Sequence, residues 1–488
     1  MSLRSHESVA SELHRSTESY FRRLLVPVQT TQENRAPNLL PVTLALSVVL
    51  WVFTTTGGQQ IFVNEVLGGA YDSQAEHFLR GDVGVDAAAI AHETMIVNGK
   101  VRMYFGPFPA LLRIPLNFIY PPGHGKWSRI SGFFAGVVAL FAFAALVKTA
   151  LRLSPLSSRT RNLVGNACVI GFALGSPLLL LLGNLSIYDE AIVWGFAWAL
   201  AALYFALRSR EAEGAALTWS LLAFSFSAGA ALLSRVTFGA PFVLIAPALA
   251  LRLFRKSQIR NLGALLLPLA AALLFYLFLT YAKFGAFSGM PLRYSVNSVQ
   301  REFAEKYGLF RIERVPYSFA DYFFLRWPKF QREPPFLKAG RQMYDHPTLY
   351  VMPFTETYSS LLWCSCWIAL GAVIGVAMLL RPGGANAVER IIAAILFVQV
   401  IVILSFMGLC QRYAAEFFPF LVFALLFFLR QGKAAFRLRY LLIGLVAVSV
   451  VINSLTTVSW LVDADMNVPA ATRAKWKEFL GRNSQRRE

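Results

Sequence analysis

Asp72, Glu76 and Asp82, with His77 and Arg80 among them, form the densest acidic cluster in an otherwise apolar and basic sequence. A second carboxylate pair, Asp189-Glu190, follows Tyr188 about a hundred residues on. A carboxylate in a partly desolvated site has its pKa raised towards working pH and can take a proton from an attacking hydroxyl. Two isolated arginines, Arg235 and Arg412, supply the complementary chemistry, since a guanidinium holds a phosphate through paired N–H donors. The anionic partner of such an arginine can be a phosphate or a carboxylate, so the residue types alone leave the reaction open. Each also has a plainer use. Asp189 and Glu190 at a helix start favour the helix dipole, Arg235 can snorkel to an interface, and Arg412 stands one α-helical turn from Glu416.

Whether these groups meet depends on the elements that carry them. The chain has 488 residues, 56% hydrophobic and 15% charged, against roughly 25% charged in a soluble domain. Many apolar runs reach the length of about 18 residues needed to cross a bilayer as helices. The sequence therefore describes an all-α polytopic membrane protein. Eleven transmembrane helices are expected, at about 39–56, 130–150, 163–182, 191–207, 215–233, 237–253, 262–282, 359–380, 390–408, 414–429 and 440–460. Residues 1–38 form an N-terminal tail, 39–460 the membrane domain and 461–488 a C-terminal tail, with two long loops at 57–129 and 283–358. Residues 11–25 suit either a helix lying on the membrane, with Arg22 and Arg23 near headgroups, or a floppy tail. Cys364-Ser365-Cys366 lacks the spacing and partner ligands of a zinc site, so the cysteines read as packing residues.

The net charge of +19, from 46 Lys+Arg against 27 Asp+Glu, is read as a membrane-orienting surplus rather than a nucleic-acid surface. One alternate set of short loops carries sixteen cations: Lys148, Arg152, Arg159, Arg161, Arg208, Arg210, Arg252, Arg255, Lys256, Arg260, Arg381, Arg390, Arg430, Lys433, Arg437 and Arg439. The opposite short loops carry Arg235 and Arg412. The positive-inside rule assigns the first set to the cytoplasm. The N-terminus is then cytoplasmic, and both long loops, the carboxylates and the two arginines face outward. Asn98-Gly99 is a hairpin turn between short extended pieces. Residues 105–120 are apolar but interrupted by Pro107, Pro109 and Pro115, too short to cross, and expected in or near the interface. Aromatics beside cations in 283–358 suit a sugar, a lipid phosphate or membrane anchoring.

With these features on one face, the chain resembles integral-membrane glycosyltransferases of the GT-C superfamily, which use a polyprenyl-phosphate-linked sugar as donor. The resemblance rests on Tyr71-Asp72-Ser73-Gln74-Ala75 with Phe78-Leu79-Arg80-Gly81 after the first helix, and on Phe105-Gly106-Pro107-Phe108-Pro109-Ala110. It rests also on Tyr188-Asp189-Glu190, and on Ser234-Arg235 with Arg412-Tyr413 and Pro419. It implies a GT-C-like fold with surface helices in the first extracytoplasmic loop. The implied reaction moves a sugar onto a hydroxyl of a cell-envelope glycan, lipid or protein. Carried over, Asp72 is the base, and Asp189 or Glu190 orients the acceptor or binds a metal. Tyr71, His77, Lys100, Arg102, Tyr188, Arg235, Arg412 and Tyr413 are candidate substrate contacts. No Asp-x-Asp stands at the key position, which leaves the divalent cation open and no cofactor assigned. The expected setting is a bacterial inner membrane with the site on the periplasmic side, without nucleic acid.

Two other functions fit parts of the pattern. A ligase or polymerase of lipid-linked sugars would lean on essential arginines in a large outer loop, which 283–358 could supply. A lipid or sugar transporter would place ionisable groups near mid-membrane, whereas here they crowd at helix ends.

Overall fold

A computed structural model of the chain describes residues 36–287, 290–338, 341–343, 351–352, 354–356, 359–463 and 467–482. The segment 11–25, read as a surface helix or a tail, lies outside the described residues. From Ala36 onward the chain is one compact unit.

Each of the eleven expected spans carries a helix. Among the described residues nine helices are long and apolar enough to cross a membrane: Ser128–Arg152, Ser158–Gly183, Ile187–Arg208, Gly214–Ser234, Val236–Arg255, Ile259–Phe284, Ala387–Leu404, Gln411–Arg430 and Arg439–Asp463. Leu40–Thr54 and Cys366–Leu380 have 15 residues each. At about 1.5 Å per residue they reach roughly 22 Å, short of the ~30 Å hydrocarbon core. The expected helix at 359–380 is divided by Ser365, whose φ of −151° and ψ of 37° separate Leu361–Cys364 from Cys366–Leu380. Ser158–Gly183 bends where Leu174 ends one helix and Pro177 starts the next. There Ser176 accepts the Leu178 amide hydrogen, which satisfies a donor freed at the break.

Ile187–Arg208 is the central helix, packed against Ser128–Arg152 and Gly214–Ser234. Its apolar residues are buried almost all round, including Ile192, Phe196, Leu200 and Leu203, as a helix hydrophobic on every face must be. Its partners in the core include Phe172 stacked on Phe143 at 4.2 Å, and Phe418 edge-on to Phe196 at 5.8 Å. Gly375 lets two further helices touch, because a Cβ there would meet the Ala424 carbonyl.

The first long loop is built mainly from two helices, a hairpin and shorter helical turns. Ala70–Leu79 packs on Phe108–Ile119. The latter begins where Pro107 and Pro109 suit a helix start. It buries Phe108, Ala110 and Arg113 and leaves Phe118 and Ile119 exposed. That amphipathic pattern suits a helix lying in an interface. Met95–Val97 pairs antiparallel with Lys100–Arg102, Met95 opposite Arg102. The joining residues Asn98 and Gly99 have φ of 51° and 76°, the left-handed pair that a two-residue hairpin requires.

The two sets of short loops separate to opposite ends of the bundle. At one end Glu389 receives Arg210 at 3.2 Å and Arg430 at 3.0 Å, while Glu211 pairs with Arg152. At the other, Arg129 binds the first loop: its Nε lies 2.6 Å from Glu65 Oε1 and its Nη1 donates to Thr56 and to the Gln60 carbonyl. Arg129 Nη2 reaches Thr472 on the C-terminal helix Ala470–Phe479 at 2.8 Å. Burial pushes the Glu65 carboxyl above its usual range, with Arg129 opposing it. Removing the cation leaves a buried charge without compensation. Arg129→Met is therefore expected to cost about 3–5 kcal/mol, read as a drop in Tm of the detergent-solubilised protein. The pair Arg129→Met with Glu65→Leu recovers most of that loss.

Candidate active site

A cavity of about 850 Å³ opens at the end that carries the two long loops. Its walls come from distant parts of the sequence. Glu93 and Tyr104 belong to the first loop, Tyr188 to the start of Ile187–Arg208, and Arg235 to the turn between Gly214–Ser234 and Val236–Arg255. Arg412 and Tyr413 belong to the turn of 3₁₀ helix Gln411–Phe417.

Glu93 is the carboxylate on this wall. It follows a four-residue helix, Ala87–Ile90, and a 3₁₀ turn, Ala91–Glu93, that bring it back over the central helix. It is buried, and it accepts a hydrogen bond from Tyr188 Oη at 2.5 Å and from Tyr104 Oη at 3.1 Å. His92 Nε2 lies 3.2 Å from the same Tyr188 oxygen. Burial and then the neighbouring Glu93 push the Tyr104 phenol well above its ordinary range, so it stays a protonated donor.

Two guanidinium groups face the same space. Arg235 is the one extended residue between two helices, with φ −159° and ψ 119°. Its Nε donates to Glu416 at 2.5 Å, and its guanidinium lies 5.3 Å from the centre of the Tyr413 ring. Arg412 lies 4.7 Å over Tyr188 and 5.6 Å from Tyr413. Stacking on tyrosine orients both guanidinium planes. The α-helical pairing of Arg412 with Glu416 considered above is replaced by Arg235 with Glu416. Residues 411–417 wind as 3₁₀ helix, and at about 3.0 residues per turn positions four apart do not share a face.

Behind this wall lies a second charged group. Arg113 is fully buried and spans two carboxylates, with Nη2 2.6 Å and 2.8 Å from the Glu190 oxygens and Nε 3.4 Å from Asp72 Oδ2. Asp72 is also fully buried, and neither of its oxygens accepts a hydrogen bond from the described residues; nor does Gln74 Nε2 donate one or Gln74 Oε1 accept one among them. Buried polar atoms without such partners are rare in native proteins. Tyr71 stands beside the group and donates to the Ile187 carbonyl at 3.2 Å. Burial drives its phenol far above the usual range, Glu190 adds to this, and Arg113 and Arg235 oppose it. The field of the hidden arginine and that of the cavity arginine therefore meet at Tyr71.

The chain is similar to two solved structures. One is ArnT from Cupriavidus metallidurans in the apo state, at 15% identity over 91% of this chain and 77% of that one, TM-score 0.39. The other is the archaeal oligosaccharyltransferase AglB from Archaeoglobus fulgidus in complex with an inhibitory peptide and a dolichol-phosphate. There the identity is 13% over 90% of this chain and 59% of that one, TM-score 0.43. No family model and no curated protein sequence matches the chain. The chemistry has to come from the residues of the cavity itself.

Of the candidates read from sequence, Tyr188, Arg235, Arg412 and Tyr413 line the cavity. Asp72, Tyr71 and Glu190 gather behind it around Arg113. Asp189 accepts from Ser186 Oγ at 2.5 Å and from Asn184 Nδ2 at 3.2 Å, which ties it to its own loop. His77 and Arg102 belong to a separate surface cluster. His77 Nδ1 lies 2.7 Å from Asp82, and Arg102 Nη1 3.5 Å from it. Burial raises the Asp82 pKa, but bonds from His77 and the Val83 amide, with Arg102 nearby, hold it below the usual range. Lys100 is exposed on the hairpin. Among the described residues no three His, Cys, Asp or Glu side chains gather to hold a metal ion, so no step below uses one. The sequence reading does not single out Glu93, His92, Tyr104 or Arg113. The signal available for Arg113 is a lone charge inside the apolar run 105–120.

Gly106 holds the first loop to the Arg235 turn. A Cβ there would meet the Leu233 and Ser234 carbonyl oxygens at 2.3 Å, a contact that forces backbone to move. Gly106→Ala is expected to cost about 1–3 kcal/mol as overpacking does, seen as a lower Tm. It also moves Tyr104 from Glu93, seen as faster labelling of a cysteine placed at 104.

Proposed function

We propose that this chain is an integral-membrane glycosyltransferase of the GT-C type. It moves a sugar from a polyprenyl-phosphate-linked donor to a hydroxyl of a cell-envelope glycan, lipid or protein on the extracytoplasmic face. One observation carries the reading: a single cavity at one end of the bundle joins a buried carboxylate, Glu93, to two guanidinium groups, Arg235 and Arg412. Apolar residues line its outer part, among them Phe287, Met290, Phe310 and Met352, and these suit the isoprenoid units next to the phosphate.

In the reaction the acceptor oxygen attacks the anomeric carbon and its proton passes to the carboxylate. The bond between that carbon and the phosphate oxygen breaks, and polyprenyl phosphate leaves as an anion. The leaving group needs cations rather than a proton. Arg412 and Arg235 supply them in a site where walls of protein and lipid keep the local dielectric low. Tyr104 and Tyr188 fix the Glu93 carboxylate, and a base held in place by packed partners loses less entropy in the transition state. Tyr413, between the two arginines, adds a flat face on which a sugar ring can rest.

A second reading keeps Asp72 as the base, as the sequence resemblance implies. Its two oxygens, fully buried yet without hydrogen-bond donors among the described residues, favour it. It requires Tyr71 and the surface helix Ala70–Leu79 to shift so that Asp72 faces the cavity. In that reading Arg113, itself bonded to Glu190, positions the Asp72 side chain.

A purified-protein assay with a panel of radiolabelled polyprenyl-phosphate sugars separates the readings. Glu93→Gln is expected to lower kcat by about 10²–10⁴, the range of general-base catalysis, with Tm near wild type. Asp72→Asn then retains more activity than Glu93→Gln; the reverse order transfers the role to Asp72. Wild-type rates in both variants would end the carboxylate-base mechanism. Arg412→Gln removes a charged contact to the phosphate and is expected to raise the donor KM about tenfold or more.

A further inference from the structure

A second cavity, of about 790 Å³, lies at the opposite end of the bundle. We propose that it binds the headgroup of an anionic phospholipid from the adjoining leaflet. The proposal stands independently of the transferase reading.

The cavity is formed where three helices end or begin. Gly214–Ser234 and Ile259–Phe284 start at it, and Val236–Arg255 finishes at it. Two features of its lining identify the ligand. Its mouth carries Arg210, Arg252, Lys256 and Arg260 against Glu211 and Glu213. Glu211 is already paired with Arg152, and Arg210 with Glu389. That leaves Arg252, Lys256 and Arg260 set against Glu213. Among the described residues no carboxylate lies within salt-bridge distance of Lys256 or Arg260. The N-terminal amides of two helices face the same space and add partial positive charge.

The floor is closed: Leu217, Leu221, Leu249 and Leu253 form it, and all four are less than 10% exposed. The apolar surface lies at the rim and outside, where Ile259 of the lining is 80% exposed, and Phe254 at 72% and Trp219 at 71% stand out from helices that border the cavity. A phospholipid matches both parts, its phosphate in the basic mouth and its chains against the exposed apolar groups outside. A basic recess between helix ends is the arrangement expected to choose an anionic headgroup over a zwitterionic one.

The test uses the full-length protein in detergent, titrated with dioleoyl phosphatidylglycerol or dioleoyl phosphatidylcholine and read by native mass spectrometry. One phosphatidylglycerol per chain is expected to bind at least ten times more tightly than phosphatidylcholine. Lys256→Gln with Arg260→Gln is expected to weaken that binding about tenfold, with Tm unchanged because both side chains are exposed. The control pair Arg159→Gln with Lys433→Gln, cations of the same end outside the lining, is expected to leave it intact. Equal binding of the two lipids, or equal loss in the control pair, would overturn the site. So would displacement of the lipid by millimolar inorganic phosphate or glycerol phosphate, which would mark a soluble-anion site.

Discussion

The structure depends on one constraint: a charge taken into a membrane protein must be paired there, because neither lipid nor packed side chains will solvate it. Three arginines meet that constraint at the same end of the bundle. Arg129 binds Glu65, Arg113 binds Glu190 and Asp72, and Arg235 binds Glu416. Each pair joins segments far apart in sequence. The first long loop is attached to the helices through Arg129–Glu65 and Arg113–Glu190, beside a small apolar cluster of its own that includes Val85, Ile90, Met103 and Phe105.

From that attachment follows the division of labour among the carboxylates. Glu190 and Glu65 are spent on holding arginines, and Asp189 on its own loop. Glu93 differs because its hydrogen-bond donors are two phenols rather than a guanidinium, and because it stands on the cavity wall.

Much of the architecture is legible in the sequence, and for a simple reason. Hydropathy over a window of some twenty residues is a sum, and sums survive errors at single positions. The helices at 128–152, 187–208 and 259–284 follow from it, as does the separation of cations such as Arg210 and Arg430 from Arg235 and Arg412. The Asn98-Gly99 hairpin was legible because two left-handed residues leave few other turns. Pairings were not legible in the same way. Glu416 belongs to Arg235, 181 positions away, only because residues 411–417 tighten to 3₁₀ winding. Arg113 looks, in sequence, like a lone charge in an interfacial helix, and only the approach of Ile187–Arg208 supplies Glu190. Glu93 stood outside any recognisable spacing. Its place depends on a tight turn, with Ala91 at φ 44°, that sequence alone does not demand.

The turn at Arg235 has a mechanical meaning. A single extended residue joins two long rods, and Gly239 lets them lie so close that a Cβ would meet the Leu232 backbone at 2.2 Å. Such a joint has almost no slack, so the backbone that carries the Arg235 guanidinium is fixed by the packing of the two rods themselves.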